Sequence, residues 1–271
     1  MTALAGADHV GMPPHSAAFL IFAAVIGAVL GSAVTAIAYR VPRHISWLTG
    51  RSACPGCGRV LSAIDLVPVL SFVWARGRCR QCHAPIRWRY PITEIWCAAW
   101  SVLLFLRVGL TPNYALLLPW GCLLVALTWI DVDFKLLPDS LTFAGTLLGL
   151  GNAILTPHGF HTALFGLLAG SGALWLVAWA YQKARGAEGM GGGDVKLAAM
   201  FGVVLGAPLT FLTLMIAALA GSVWGIALMT RGRGDGRTEL PFGALLAPAA
   251  MVTLLWGETV VGLYLRLFHR A

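Results

Sequence analysis

Long apolar segments recur along the chain and are separated by shorter polar stretches. Eight such segments are recognised, at about 17–38, 92–108, 114–130, 141–155, 163–181, 195–205, 209–229 and 242–265. Many approach the roughly 20 residues that a membrane-spanning helix needs. The sixth is short, and Gly206-Ala207-Pro208 after it predicts either a tight turn or a kink within one long helix.

Composition agrees with a membrane protein. Hydrophobic residues make up 58% of the 271 residues, charged residues make up only 11%, and the mean hydropathy is +0.79. These values exclude an ordinary soluble domain. We therefore predict an all-α polytopic protein of about eight transmembrane helices in a lipid bilayer. It divides into an N-terminal segment with the first helix (1–40), a small cytoplasmic domain (41–91) and a transmembrane core (92–271).

The basic residues predict the orientation of these helices. With the N-terminus outside, all but three of the 19 basic residues fall in cytoplasmic segments, as the positive-inside rule requires. The exceptions are Arg107, Arg266 and Arg270. The first segment is not expected to be a cleavable signal peptide, because its flanking charges, Arg40 and Arg43, follow it rather than precede it. This topology puts Asp131 and Asp194 on the same, cytoplasmic, face.

The predicted cytoplasmic domain contains two pairs of cysteines, each pair with two intervening residues. The pairs are Cys54 with Cys57 and Cys79 with Cys82, and their spacing is close to that of zinc ribbons. Four thiolates suit a tetrahedral Zn²⁺ ion, and the cytoplasm keeps thiols reduced. Two redox or disulfide pairs are the alternative. Because the domain is too small for a sizeable core, zinc would supply part of its folding energy.

The same domain is rich in arginine and contains one acid, Asp65. This charge indicates either contact with anionic lipid headgroups or an acidic partner, or no more than the positive-inside rule. Nucleic acid is not an expected partner, since the chain offers neither an aromatic stacking platform nor a recognition helix. His83 is expected at the surface rather than in the metal site, because four cysteines already complete a zinc shell.

Two aspartates stand at the ends of apolar segments. Asp131 closes the third segment and Asp194 opens the sixth. Carboxylates at the ends of membrane helices are costly, and a functional site is their default interpretation. Two such groups can share a proton and activate a water molecule. The structural alternatives are an interfacial charge that ends a helix for Asp131 and a helix N-cap for Asp194.

Glycines and two further charged residues surround this predicted site. Gly191, Gly192 and Gly193 do not form a phosphate loop, since no GxxxxGK[ST] pattern is present. They instead allow the backbone to approach a substrate or another helix closely. Lys196 follows them, and Glu94, at the start of the second segment, either pairs with an arginine at the interface or faces the site.

Taken in order, these motifs resemble the type IV prepilin peptidases, which are bifunctional leader peptidases and N-methyltransferases of the GxGD aspartyl protease family. The resemblance covers nearly the whole chain. It rests on Gly31-Ser32, Tyr39-Arg40-Val41-Pro42, both CxxC pairs with Val67-Pro68-Val69-Leu70-Ser71 between them, Arg89-Tyr90-Pro91 with Glu94, Asp131-Val132-Asp133, Leu137-Pro138-Asp139, Gly191-Gly192-Gly193-Asp194 with Lys196, and Pro241-Phe242-Gly243. Ala244 departs from the proline that the family often has there.

The resemblance implies an activity, substrates and roles for residues. Asp131 and Asp194 would be the catalytic pair, and the four cysteines would bind the metal of the cytoplasmic domain. Gly191, Gly193, Lys196 and Glu94 would support the site or contact the substrate. The enzyme would reside in the bacterial inner membrane and cut the basic leader from type IV prepilins or type II secretion pseudopilins at the cytoplasmic face. It would then methylate the new N-terminus with S-adenosylmethionine, for which no binding motif is found.

Three other functions fit parts of the pattern. An ion-coupled transporter would use the two aspartates as a proton relay, but it predicts inverted repeats and charges at the bilayer midplane. A zinc-binding membrane scaffold predicts that both aspartates can be replaced without loss of function. A related intramembrane aspartyl protease without methyltransferase activity is a closer alternative, but such relatives often lack the cysteine loop.

Overall fold

The computed structural model describes residues 17–46, 50–156, 159–186, 191–232 and 240–268. Within these ranges the chain forms eight α-helices and no extended strand, which confirms the all-helical prediction. The helices are α1 (Ala17–Arg40), α2 (Leu70–Trp74), α3 (Arg89–Val108), α4 (Pro112–Phe134), α5 (Asp139–Ile154), α6 (Gly159–Arg185), α7 (Gly192–Thr230) and α8 (Gly243–Phe268). Short 3₁₀ turns occupy Val41–Arg43 and Ala63–Leu66.

Six of the described helices are long and apolar enough to cross a membrane, namely α1, α3, α4, α6, α7 and α8. The chain is therefore a multi-pass membrane protein. The difference from the eight predicted segments has two sources. The fourth predicted segment corresponds to α5, which has only 16 residues, and the sixth and seventh lie together in the 39 residues of α7. The predicted outside N-terminus (1–16) and the basic residues Arg233, Arg237 and Arg270 lie outside the described residues.

Helix α7 is a helical hairpin rather than one straight rod. A methyl group built on Gly170 of α6 would lie 2.5 Å from the Ala198 carbonyl oxygen and 3.1 Å from Thr210 Cγ2. In a straight helix those two residues would be about 18 Å apart, so the chain must reverse between them. The reversal occurs at Gly206, whose φ of 72° and ψ of 169° are not helical. The structure thus contains the predicted turn and not the kink.

Replacing Gly206 with alanine is expected to destabilise this hairpin. Its φ and ψ fall in a region that only glycine occupies readily, and an added Cβ would lie 2.7 Å from Thr162 Cγ2. We expect a loss of about 1–3 kcal/mol in the free energy of unfolding, measured by denaturant titration in detergent micelles. Gly172→Ala on α6 is the control, because Gly172 has no neighbour within 4 Å of an added Cβ. Equal stability of the two variants would contradict a strained turn.

Contacts divide the chain into two compact units, with the boundary between Ala126 and Leu127 inside α4. In the unit that precedes the boundary, α1 packs closely on α3. Methyl groups added to Gly27 or Gly31 would overlap the α3 backbone, and the Ser101 hydroxyl donates a hydrogen bond to the Ala23 carbonyl at 2.5 Å. Small residues four apart allow this close approach between membrane helices.

In the unit that begins at Leu127, the second half of α7 runs antiparallel to α8. Gly257 of α8 lies against Leu209 near the hairpin turn, and Gly221 lies against Leu245 near the start of α8. Because α7 reverses at Gly206, its first turn returns to the same end of the unit as the start of α8. Two helix N-termini therefore meet the end of α4, and this is where the two predicted aspartates lie.

Candidate active site and metal centre

Asp131 is buried at the last turn of α4, with only 5% of its surface exposed. The helix ends three residues later at Phe134, and the Lys135 amide, at a left-handed φ of 51°, donates to the Asp131 carbonyl. The carboxylate Oδ2 accepts a hydrogen bond from the Ala244 amide at 2.7 Å, and the Gly243 amide also interacts with it. The first amides of α8, which lack partners within the helix, thus hold one oxygen of Asp131.

Asp194 lies in the first turn of α7 and is half-buried. The N-cap of α7 is Gly191, so the structural alternative that Asp194 is the N-cap is wrong, although a carboxylate in this turn is favoured by the helix dipole. Its charge interacts directly with that of Asp131. Among the described residues no group donates a hydrogen bond to the Asp194 carboxylate. The structure therefore brings the two predicted aspartates into one site and leaves Asp194 as the more open of the two.

Leu137 joins the three helix ends that form this site. It is buried, and an added Cβ at Gly193 would lie 3.0 Å from Leu137 Cβ. An added Cβ at Gly243 would lie 2.9 Å from Leu137 Cδ1 and 3.1 Å from Asp131 Oδ2. Of the predicted glycines, Gly193 makes this close approach, whereas the nearest atom to an added Cβ at Gly191 is the Gly193 nitrogen at 4.0 Å. The glycines before Asp194 and at the start of α8 therefore let Leu137 pack where side chains would exclude it.

Lys196 does not contact either aspartate of the pair. Its Nζ lies 2.6 Å from Asp139 Oδ1, and both side chains are more than half exposed. An exposed ion pair of this kind contributes little stability. The two residues border a shallow cleft of about 280 Å³, which Thr142, Phe143, Thr146 and Ala199 also line. The structure thus places Lys196 beside the predicted site, at a cleft on its edge.

Gly243→Ala is expected to reduce cleavage sharply, because the new methyl group would push against Asp131 Oδ2 and Leu137. A displacement of about 1 Å in a reacting group costs about 10²-fold in rate. We therefore expect kcat/KM to fall by about 10²-fold at unchanged melting temperature. Gly192→Ala, in the first turn of α7, is the matched control and should retain activity, because an added Cβ there has no neighbour within 4 Å. Wild-type kinetics in Gly243→Ala would show that the α8 amides do not position Asp131.

The two cysteine pairs form a repeated backbone unit. The Cys54 amide donates to the Arg59 carbonyl, and the Cys79 amide donates to the Ala84 carbonyl, each at 2.9 Å. An isolated antiparallel bridge closes each unit. Gly58 and His83 occupy equivalent positions and both have left-handed φ angles, 71° and 57°. His83 is therefore a turn residue, and it is exposed as the sequence predicts.

The four cysteines converge as a metal site requires. All four Sγ atoms lie within 4.8 Å of one another, and those of Cys54 and Cys82 are 3.7 Å apart. A tetrahedral site with Zn–S bonds of about 2.3 Å would place its sulfurs about 3.8 Å apart. All four thiols are free rather than paired in disulfides. The residues therefore fit a tetrahedral metal ion.

The chemistry of the thiols agrees with this geometry. The amides of Cys82 and Gln81 donate hydrogen bonds to the Cys79 sulfur and lower the pKa of its thiol to about 6. The pKa of Cys82 is about 11: the Ala84 amide lowers it, but lost hydration and the neighbouring thiols raise it more. Four adjacent thiols cannot all ionise without a cation between them, and a bound divalent ion would provide that charge.

Glu94 is a buried anchor rather than the partner of an arginine. Its Oε2 accepts a hydrogen bond from the Val69 amide at 2.7 Å, and the Ser32 hydroxyl also interacts with it. Val69 has a φ of 60° and a ψ of −49°, and the Leu70 amide donates to the Pro68 carbonyl across it. This is a γ-turn, which is unusual for a β-branched residue. Glu94 thus fixes the chain between the two cysteine pairs.

Two residues of the aspartate site escaped the sequence analysis. The Ala244 amide was not foreseen as a donor to Asp131, and Leu137 was not foreseen as the residue between three helix ends. The only signal in the sequence was their place in or beside Pro241-Phe242-Gly243 and Leu137-Pro138-Asp139. Neither contact has a local signature, because the partners are far apart along the chain.

Comparison with known proteins adds to this geometry. The model called "Bacterial Peptidase A24 N-terminal domain" matches residues 25–108, and the model called "Type IV leader peptidase family" matches residues 116–226. The first match contains all four cysteines, and the second contains both aspartates. No solved structure is significantly similar to the chain.

Curated relatives called prepilin leader peptidase/N-methyltransferase match most of the chain. The protein of Aeromonas hydrophila is 40% identical over 226 residues, which cover 80% of this chain and 76% of the relative. That of Stutzerimonas stutzeri is 34% identical over 278 residues, with 92% and 94% covered. That of Pseudomonas aeruginosa is 32% identical over 278 residues, with 93% and 95% covered.

Proposed function

The chain belongs to the type IV leader peptidase family, and from this premise we propose that Asp131 and Asp194 are the residues with which it cuts prepilins. It is a prepilin leader peptidase with N-methyltransferase activity. The observation that carries the assignment is the meeting of these two carboxylates, 63 residues apart in sequence, where their charges interact at the joined ends of α4, α7 and α8.

The pair acts by general acid–base catalysis. Because the charges of the two carboxylates interact, ionising both is costly, and the pair holds one proton. The ionised member removes a proton from water, and the water oxygen attacks the scissile carbonyl carbon, which the protonated member polarises. The C–N bond then breaks and the leaving amine takes the proton. Because Oδ2 of Asp131 accepts a hydrogen bond from the Ala244 amide, any proton on this carboxyl group resides on Oδ1.

The methyl transfer uses S-adenosylmethionine as donor and the new N-terminal amine as acceptor. We propose that residues 41–91 form a separate domain that takes part in methyl transfer. Its four cysteines, Cys54, Cys57, Cys79 and Cys82, would hold a Zn²⁺ ion. Bound zinc would supply folding energy to a domain of this size. Glu94, through its bond to Val69, keeps that domain attached to the start of α3.

The distribution of basic residues supports a proposed location for the enzyme. Basic residues that flank the described spans favour an inner-membrane enzyme with its N-terminus outside and its aspartates at the cytoplasmic face. Substrates are the prepilins and, by the same chemistry, the type II secretion pseudopilins, which present a cleavable leader before a hydrophobic stem. Gly191, Gly193 and Lys196 lie at or beside the aspartate site and support substrate binding there. Nucleic acid is not a partner in this scheme.

The test is cleavage of a purified prepilin by the purified protein in lipid nanodiscs, read by mass spectrometry. We expect loss of the leader mass without a methyl donor, and a further mass of about 14 Da, one methylene equivalent, on the mature N-terminus when S-adenosylmethionine is present. A pseudopilin is tested in parallel. Absence of cleavage across several prepilins would reject the assignment, and cleavage without methylation would identify a peptidase that lacks the second activity.

A further inference from the structure

The loop between α1 and α3 exposes an apolar surface that its own fold does not cover. Leu70, Val73 and Trp74 lie on one face of α2, and Trp88 immediately precedes α3. These four side chains are between 50% and 71% exposed. Phe72, on the other side of α2, packs against Trp88 with the two ring centroids 4.9 Å apart, so Trp88 also lies beside α2. We refer to Leu70, Val73, Trp74 and Trp88 as the loop patch.

The hydrogen bond of Val69 places this patch at the depth of the membrane surface. Helix α3 has 20 residues, a length of about 30 Å, which only just spans the hydrocarbon core. Its start at Arg89 must then lie close to the boundary of that core. Glu94 is five residues further in, about 7 Å along the helix. Because the Val69 amide is 2.7 Å from Glu94 Oε2, α2 begins beside the membrane rather than out in water.

Exposed arginines surround the patch. Elsewhere in the loop, Asp65 pairs with two arginines, with Arg59 at 2.6 Å and with Arg80 at 3.4 Å. Hydrogen bonds from the Ser62 side chain and backbone, together with these arginines, hold the pKa of Asp65 below its usual value. Three other exposed arginines lie beside the patch, namely Arg76, Arg78 and Arg87. None of the described acidic residues forms an ion pair with them.

We propose that α2 is an interfacial anchor, whose loop patch inserts among the headgroups of the bilayer while Arg76, Arg78 and Arg87 bind the phosphates of anionic lipids. Apolar side chains beneath a cationic rim, with aromatic residues at headgroup level, suit an anionic bilayer surface. Each basic residue near such a surface adds to the attraction. The partner is the membrane itself, and the loop of residues 41–91 lies on it.

Hydrogen–deuterium exchange of the full chain in nanodiscs tests this proposal. Exchange of the peptide covering residues 66–78 is compared in detergent, in phosphatidylcholine discs, and in discs with added phosphatidylglycerol. We expect exchange to slow about tenfold in the anionic discs, because several arginines contribute to the contact. Trp74→Ser and Arg87→Glu should each lose most of that slowing. Their metal content should remain that of the wild type, which shows that the cysteine pairs stay folded.

Two matched variants test whether the lost slowing of exchange is specific to the patch or follows from any reversed charge or any removed tryptophan. Trp175→Ser removes an equally exposed tryptophan of α6, and Arg231→Glu reverses an exposed charge at the end of α7. Both should keep the wild-type slowing. Equal exchange in all three environments would overturn the proposal. Slowing that appears only when a prepilin is added, whatever the lipid, would also overturn it and would make the patch a protein-docking surface.

Discussion

Asp131→Asn and Asp194→Asn are each expected to abolish leader removal while the protein stays folded. An amide cannot take a proton from water, and it cannot share a proton with the remaining carboxylate. Loss of a general acid or base costs about 10²–10⁴-fold in rate, and both roles fail here when either residue changes. Asparagine has nearly the same shape as aspartate, and in Asp131→Asn the side-chain carbonyl oxygen would still accept the hydrogen bond from the Ala244 amide. We therefore expect unchanged melting temperatures and cleavage below detection by mass spectrometry.

Asp133→Asn is the matched control for these variants. It lies at the same end of α4 but is exposed, so cleavage should persist. A pilin that already carries its mature N-terminus should still be methylated by both catalytic-site variants, since methyl transfer needs no attacking water. Cleavage that survives either substitution would show that the paired-aspartate mechanism is wrong. The transporter and scaffold hypotheses instead predict that even the wild type cuts no prepilin.

Cys54→Ser and Cys79→Ser are each expected to abolish zinc binding and to unfold the loop of residues 41–91. A four-thiolate zinc site supplies about 10–16 kcal/mol of apparent binding energy near neutral pH, far more than this loop can gain from its few buried side chains. We expect zinc, measured by mass spectrometry of the purified protein, to fall from about one equivalent to near none. Limited proteolysis should then cut between α1 and α3.

Cys122→Ala is the control for the metal site, because Cys122 is buried within α4 and lies in a different element from the four ligands. It should keep both the metal and the protease resistance. If the wild type binds no metal and the loop instead becomes protease-sensitive on treatment with a reductant, the cysteines form disulfides. That result would reject the zinc site and restore the alternative of two redox or disulfide pairs.

Local chemistry made much of this protein predictable. Hydropathy locates the membrane helices, because a bilayer accepts a backbone only when its hydrogen bonds are satisfied within the segment. The spacing of the four cysteines predicts that they converge, since a single contact between two Cys-x-x-Cys turns brings all four sulfurs together. Asp131 and Asp194 stand out because a carboxylate at the end of an apolar helix is costly. Each of these signals is contained in a few neighbouring residues.

Other features depend on residues that are distant in sequence. Whether Gly206 makes a kink or a reversal is decided by α6, which packs against both halves of α7 through Gly170. Glu94 could not be assigned from its neighbours, because its partner Val69 adopts a γ-turn that no propensity predicts for a β-branched residue. The role of Lys196 was likewise undecided until the structure paired it with Asp139 across 57 residues.

The sequence by itself determined the class of protein and its apolar helices, and it singled out the four cysteines and the two aspartates that converge in the structure, because composition and short spacing carry those properties. Only the tertiary structure decided how the aspartates are held. The Ala244 amide reaches Asp131 across 113 residues, and Leu137 fits between two glycines on different helices. Such contacts depend on how helices pack, and packing is set by the shapes of many side chains together rather than by any local pattern.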